Sequence, residues 1–159
     1  MSPQTPLVAR FLLGYGEMLV GGLSEEEMDA QPAGGINTPA WILGHLAYAA
    51  DRHATFVGGE PQLADWADRF GQSSEPPSSL DQRPGKAELI AAWNDATERL
   101  LAAFAAASDE QLDAATGGPL AESFPQVRDF LTFSLGSHTA VHLGQLSAWR
   151  RAMGKPAMF

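Results

Sequence analysis

A chain of 159 residues, 45% hydrophobic and 18% charged, has the composition of one globular domain, residues 1–159, with room for a sizeable core. Its net charge of −9, with ten Lys and Arg in all, excludes the basic footprint that binds phosphate backbones or an anionic membrane surface. There is no cysteine, so disulfides, thiolate metal sites and a protein thiol nucleophile are excluded, and any metal must be held by His, Asp or Glu.

The N-terminal MSPQTPLVAR has no basic segment followed by an apolar run, and no stretch approaches the ~20 apolar residues of a membrane span. The expectation is a cytoplasmic protein. Alanine is abundant and β-branched residues are sparse, which favours helix over strand.

In chain order, Pro3 and Pro6 suit a helix start, where a missing N–H costs nothing. Leu7, Phe11, Tyr15, Met18 and Leu19 then follow three-four spacing and form the expected buried stripe, ended by Gly21-Gly22. Ser24 with Glu27 is a capping-box pattern that starts a short helix or turn. Residues 32–35 are loop. The second long helix has Thr38 as its N-cap and Pro39 at its first position. Ile42, Leu46, Ala49, His53 and Phe56 make its stripe, with His45 beside it, and Gly58-Gly59 ends it.

Residues 58–85 hold four prolines, four glycines and four serines. They read as a long connection with one amphipathic turn around Leu63, Trp66 and Phe70. A connection of that length in a small domain crosses the fold or forms part of a site. The third long helix runs from about Lys86 to Ala107, with Leu89, Trp93, Ala96, Leu100 and Phe104 buried. Ser108-Asp-Glu-Gln-Leu-Asp then repeats the pattern of Ser24-Glu-Glu-Glu-Met-Asp. The unit of helix, capped acidic turn, loop and Pro-started helix thus occurs twice, which suggests two helical hairpins.

The fourth helix starts at Ser123 with Pro125 in its first turn. Val127, Leu131, Ser134, His138, Val141, His142, Gln145 and Trp149 line one face, and Gly154 and Pro156 stop it. Four long amphipathic helices and no alternating segments give an all-α fold, a four-helix bundle.

Two helices carry histidine where a core is expected. His138 and His142, four residues apart, lie about 6 Å apart along one helix and only ~40° apart around it, so both imidazoles can reach one ion. His45 lies among Trp41, Ile42, Leu46 and Ala49. Polar side chains on a core face are costly unless paired or bound to something. If the second and fourth helices are neighbours, the three imidazoles converge on one metal ion with open positions for water or substrate. Zn²⁺ comes first, and Ni²⁺, Fe²⁺ and Mn²⁺ also accept imidazole. The plain alternative is a polar network among core histidines. His53 is either a fourth ligand or a residue that caps the open end of the helix or faces water.

Trp41 and Tyr48 flank His45 and either line a pocket or fill the core. Gln145 hydrogen-bonds a metal-bound water or a ligand imidazole, or else a neighbouring helix. Ser134 serves as filler.

Asn37-Thr-Pro-Ala-Trp-Ile-Leu-Gly-His45 resembles the start of the second helix in the DinB-like (YfiT-like) superfamily. His138-x-x-x-His142-x-Gly-Gln-Leu146, followed by Arg150-Arg-x-x-Gly-Lys-Pro156, resembles that family's last helix. The resemblance spans essentially the whole chain. It implies an up-down-down-up bundle with residues 58–85 as the crossover between helices two and three. It also implies a divalent metal, commonly zinc or nickel, on His45, His138 and His142, and a homodimer. Characterised relatives include S-transferases that use low-molecular-weight thiols and a thiol-dependent isomerase. The expected function is therefore metal-dependent chemistry on a small-molecule substrate, with a small thiol as cosubstrate. Metal-dependent hydrolysis, or a non-catalytic metal- or ligand-binding stress-response protein, is the alternative.

Overall fold

The computed structural model describes residues 1–33, 35–76 and 79–158, and those residues are helical with no strands. Gly34 of the expected 32–35 loop, and Pro77 and Ser78 of the long connection, lie outside the described residues. Four long helical segments carry the mass of the molecule: α1 (Gln4–Gly21), α3 (Pro39–Ala54), α5 (Lys86–Ala106), and α7 (Val127–Phe133) continued by α8 (Thr139–Ala152). Short helices α2 (Glu25–Asp29), α4 (Ala67–Phe70) and α6 (Asp109–Asp113) lie in the connections.

Local chemistry sets the starts of α2, α3 and α6. Thr38 accepts the Trp41 N–H at 3.2 Å, with Pro39 next to it. Ser24 and Glu27 form a full capping box, and so do Ser108 and Gln111, so the repeated unit is real at the level of hydrogen bonds. The fourth segment starts later than its proline suggests. Gln126 pairs with Ala115 in an isolated antiparallel bridge, and the Pro125 carbonyl accepts the Thr116 N–H at 3.1 Å. The backbone is extended there, so the helix begins at Val127.

The interior is built where α5 packs along α3 and α8 lies against α1 and α3. The expected α5 stripe of Leu89, Trp93, Ala96, Leu100 and Phe104 is buried throughout. Trp93, Trp149, Phe70, Leu43 and Leu143 are among the largest fully buried side chains. Each such side chain stabilises the fold by roughly 1.5–3 kcal/mol or more.

The stripe expected on α1 is a correction. Leu19 is buried and Tyr15 packs half-buried against the core as expected, but Leu7, Phe11 and Met18 are 72%, 61% and 46% exposed, and Thr5, Ala9, Leu12, Leu13, Gly16 and Val20 join Leu19 on the buried face. The helix is apolar on both sides, and Gly16 decides between them. The Trp93 indole sits where a side chain at Gly16 would stand, so this face alone admits α5 closely.

Val141, also expected inside, is 60% exposed. Between α7 and α8 the helix makes a π turn, Ser134–His138, whose Ser134 carbonyl accepts the Thr139 hydroxyl at 3.0 Å. One extra residue in a helical turn rotates everything beyond it by about 100°. Thr139, Leu143, Leu146 and Arg150 therefore take the inward positions, and Val141 turns out.

The 58–85 connection is pinned at both ends by buried charges. Asp51 on α3, fully buried, accepts the Gln62 and Leu63 N–H groups at 2.9 and 3.0 Å and the Arg99 guanidinium at 2.9 Å. At the far end Arg83, 5% exposed, binds Asp29 through Nε and Nη2 and Glu25 through Nη1. Between these anchors the expected amphipathic turn appears as a 3₁₀ turn, Ala64–Trp66, running into α4. It delivers Phe70 onto Gly44 of α3, where the absence of a side chain makes room for the ring.

Candidate metal centre

His45, His138 and His142 converge. Each offers a ring nitrogen, and the three nitrogens lie within 4.8 Å of one another. His45 comes from α3, His138 from the end of the π turn and His142 from the first turn of α8. Among the described residues this group contains no carboxylate.

Two of the three rings are oriented by fixed acceptors. The Phe70 carbonyl can only accept, so His45 Nδ1–H donates to it at 2.9 Å, which leaves the Nε2 lone pair of the neutral ring free. The Gln145 side-chain oxygen stands 3.3 Å from His142 Nδ1, and Asn37 Nδ2 donates to the same oxygen at 3.5 Å. That again leaves Nε2 free. Gln145 thus supports a ligand-type imidazole rather than bridging two helices alone.

His45 Nε2 and His138 Nε2 are 3.3 Å apart. Zinc–nitrogen bonds of ~2.0–2.1 Å at tetrahedral angles place ligand nitrogens about 3.4 Å apart. That pair stands at the spacing of two ligands, and the donor set fits a divalent ion in number and type.

Electrostatics keep the site neutral. Burial lowers the pKa of His138 to about 3, helped by repulsion from His142, His45 and His53. Burial and His45 bring His142 to about 4, against a raising hydrogen bond from Gln145. Burial also lowers His45, opposed by its bond to Phe70. At neutral pH protons do not compete for these nitrogens.

Trp41 stacks on His45 with ring centroids 4.7 Å apart and planes 7° apart, and its Nε1–H donates to Ser74 in the long connection at 2.8 Å. It is both core and wall of the site. Tyr48 is half-buried against the core and takes no part in the ring contacts of the cluster.

A scan for family likeness finds the DinB superfamily profile over residues 16–146. The chain belongs to the DinB superfamily. Among solved structures its fold is similar to that of a conserved protein from Enterococcus faecalis, with a TM-score of 0.74 and 16% identity over 98% of this chain and 99% of that one. No curated protein sequence matches it.

The DinB chain places His53 differently from either expectation. It is neither among the three convergent histidines nor turned to water. Its Nδ1 shares a 2.7 Å hydrogen bond with Ser134, its ring meets the Phe130 ring edge-on at 4.7 Å, and it stands 6.2 Å from the His138 ring. Burial is the main reason its pKa falls to about 4. Ser134 is accordingly a hydrogen-bonding partner and not filler. The Phe70 carbonyl, the π turn and the Asp51 anchor were not foreseen. A backbone acceptor leaves no mark in a sequence, and Asp51 is one acidic residue among 19.

Proposed function

We propose that this DinB superfamily protein is a metal-dependent enzyme that activates a small thiol or water on a divalent ion held by His45, His138 and His142. The convergence of three neutral imidazole nitrogens, without a carboxylate among them, carries the reading. A divalent ion bound there, zinc or nickel before others, would keep its full double charge and supply Lewis acidity that lowers the pKa of a coordinated thiol or water.

The chain's own residues hold and orient. Phe70 fixes the His45 ring, Gln145 and Asn37 fix that of His142, and Trp41 closes one side. The chain has no cysteine, so a thiol reaches the site only as a cosubstrate. This supports S-transfer from a low-molecular-weight thiol to an electrophilic small molecule, ahead of hydrolysis. In the same reading the four long segments form an up-down-down-up four-helix bundle with residues 58–85 as the crossover, and the protein works in the cytoplasm. One observation favours a second reading. The histidine group has no carboxylate to serve as general base, as a non-catalytic metal- or ligand-binding protein would not need one.

The test is metal content of protein produced with zinc, nickel, iron or manganese, followed by thiol-dependent consumption of a panel of electrophiles. One ion per chain is expected, lost in His142→Ala together with turnover. A protein empty under every supply, or a His142→Ala variant that keeps full occupancy, overturns the ligand assignment. An ion retained without thiol-dependent or hydrolytic turnover selects the binding reading.

A further inference from the structure

Two of the three convergent imidazoles are held by the protein, and the third is not. His45 Nδ1 is tied to the Phe70 carbonyl and His142 Nδ1 to Gln145. His138 has its Nε2 opposite that of His45 at 3.3 Å, and its Nδ1 makes no hydrogen bond among the described residues. The partner of one ring nitrogen sets the tautomer and orientation of a ligand imidazole, so His138 lacks what the other two have.

A cavity of about 10 Å³ lies against this ring, where α3, α5 and the π turn meet. Thr97, Ser134, His138 and Thr139 line it with polar groups, and the remaining walls are hydrophobic residues. One water molecule needs a cavity of about 10–15 Å³ and two to four polar partners. This cavity has both the room and the partners.

The three hydroxyl residues differ in what they already do. Ser134 shares its 2.7 Å bond with His53, and Thr139 donates to the Ser134 carbonyl. Thr97, in the middle of α5, is 5% exposed, and its hydroxyl makes no hydrogen bond among the described residues. A threonine inside a helix commonly turns its hydroxyl back to the carbonyl one turn earlier, as Thr132 does to Arg128 at 2.8 Å. Thr97 forgoes that bond. A buried hydroxyl that pairs with nothing is costly, so its partner has to come from the cavity it lines. Valine has the same shape and would serve for packing alone.

We propose that Thr97 is a positioning residue for His138, acting through one water molecule bound in this cavity between Thr97 Oγ1, Ser134 Oγ and His138 Nδ1. The inference rests on the metal reading. With a divalent ion on Nε2, the neutral His138 ring carries its proton on Nδ1 and donates it to the water, which in turn donates to the two hydroxyl oxygens. Without an ion, the bare Nε2 of His45 faces His138 Nε2, so the His138 proton belongs on Nε2 and Nδ1 accepts from the water instead. Water serves in both states because it donates and accepts. A backbone carbonyl, such as the one behind His45, serves only in the first.

A crystal structure of the metal-free protein and zinc competition with a chromogenic chelator test it together. The crystal should show one ordered water at about 2.7–3.2 Å from Thr97 Oγ1 and from His138 Nδ1. Thr97→Val should bind zinc about 10–100-fold more weakly, while the urea midpoint of its metal-free form is kept. Thr97→Ser, which returns the hydroxyl, should return the affinity. A cavity without ordered water in the wild-type crystal overturns the proposal whatever the variants do. So does a Thr97→Val protein that binds zinc as tightly as wild type, or a folded Thr97→Ser protein as weak as Thr97→Val. A wild type that takes up no zinc or other divalent ion overturns the metal reading itself, and this inference with it.

Discussion

Gly44→Ala tests whether the long connection tunes the histidine cluster. The added methyl would stand 2.6 Å from Cγ of Phe70, and closer still to Cδ1 and Cε1 of the same ring. Carbon atoms pack at about 3.5–4.0 Å, so the ring must retreat by roughly 1 Å or more. Phe70 is fully buried against Trp66, with ring centroids 5.1 Å apart, and cannot simply swing into solvent. The retreat therefore moves α4 and the Phe70 carbonyl with it. The 2.9 Å bond to His45 Nδ1 has little slack before it exceeds hydrogen-bonding distance.

Two losses should appear together. Overpacking costs about 1–3 kcal/mol in stability. Loss of the acceptor that orients a ligand imidazole costs about 10–100-fold in metal affinity. The assay is competition with a chromogenic zinc chelator at neutral pH, beside a urea titration of the metal-free protein. A destabilised variant with unchanged zinc affinity would refute the claim that Phe70 orients His45.

Three further outcomes follow from contacts already described. Metal-free protein should lose stability as pH falls below 6.5. The unfolded chain begins to take up protons there, while His53 and His142 resist until about 4 and His138 until about 3. The loss is about 1 kcal/mol per group for each pH unit between 6.5 and 4, and none arises from these groups above 6.5. Thermal midpoints that stay level from pH 7 to pH 5 would contradict it. Asp51→Ala should destabilise by roughly 3–5 kcal/mol, because it strands a guanidinium and two loop N–H groups, and proteolysis should then cut first between residues 58 and 85. Ser24→Ala and Ser108→Ala should each cost about 1 kcal/mol in denaturant titrations, and similarly, because the two capping boxes are built alike.

Features governed by neighbours in sequence were legible, and those governed by partners far along the chain were not. Thr38-Pro39, Ser24 with Glu27, and Ser108 with Gln111 each satisfy backbone groups within one turn, so their pattern is their mechanism. The α5 stripe was legible because only one side of that helix is apolar. On α1 the three-four rule is met twice, by Leu7, Phe11 and Met18 and by Leu12, Leu19 and Val20. The choice rests on whether Gly16 meets Trp93, 77 residues away. The three histidines were legible as polar residues on apolar helices, and their convergence awaited the packing of α8 against α3. His53 was misjudged because its partner Ser134 lies on another helix.

The π turn at Ser134–His138 makes the last long segment a matter of counting. Its two halves each present a continuous apolar face, but the faces agree in direction only because one residue too many lies between them. A single-residue deletion within 134–138 would restore ideal helical geometry and yet set Val127, Phe130 and Leu131 at odds with Leu143, Leu146 and Trp149. Gly136 and Ser137 should therefore tolerate substitution, but the stretch should tolerate no change in length. A regular helix would be the defect here, and the irregular one holds the two halves in agreement.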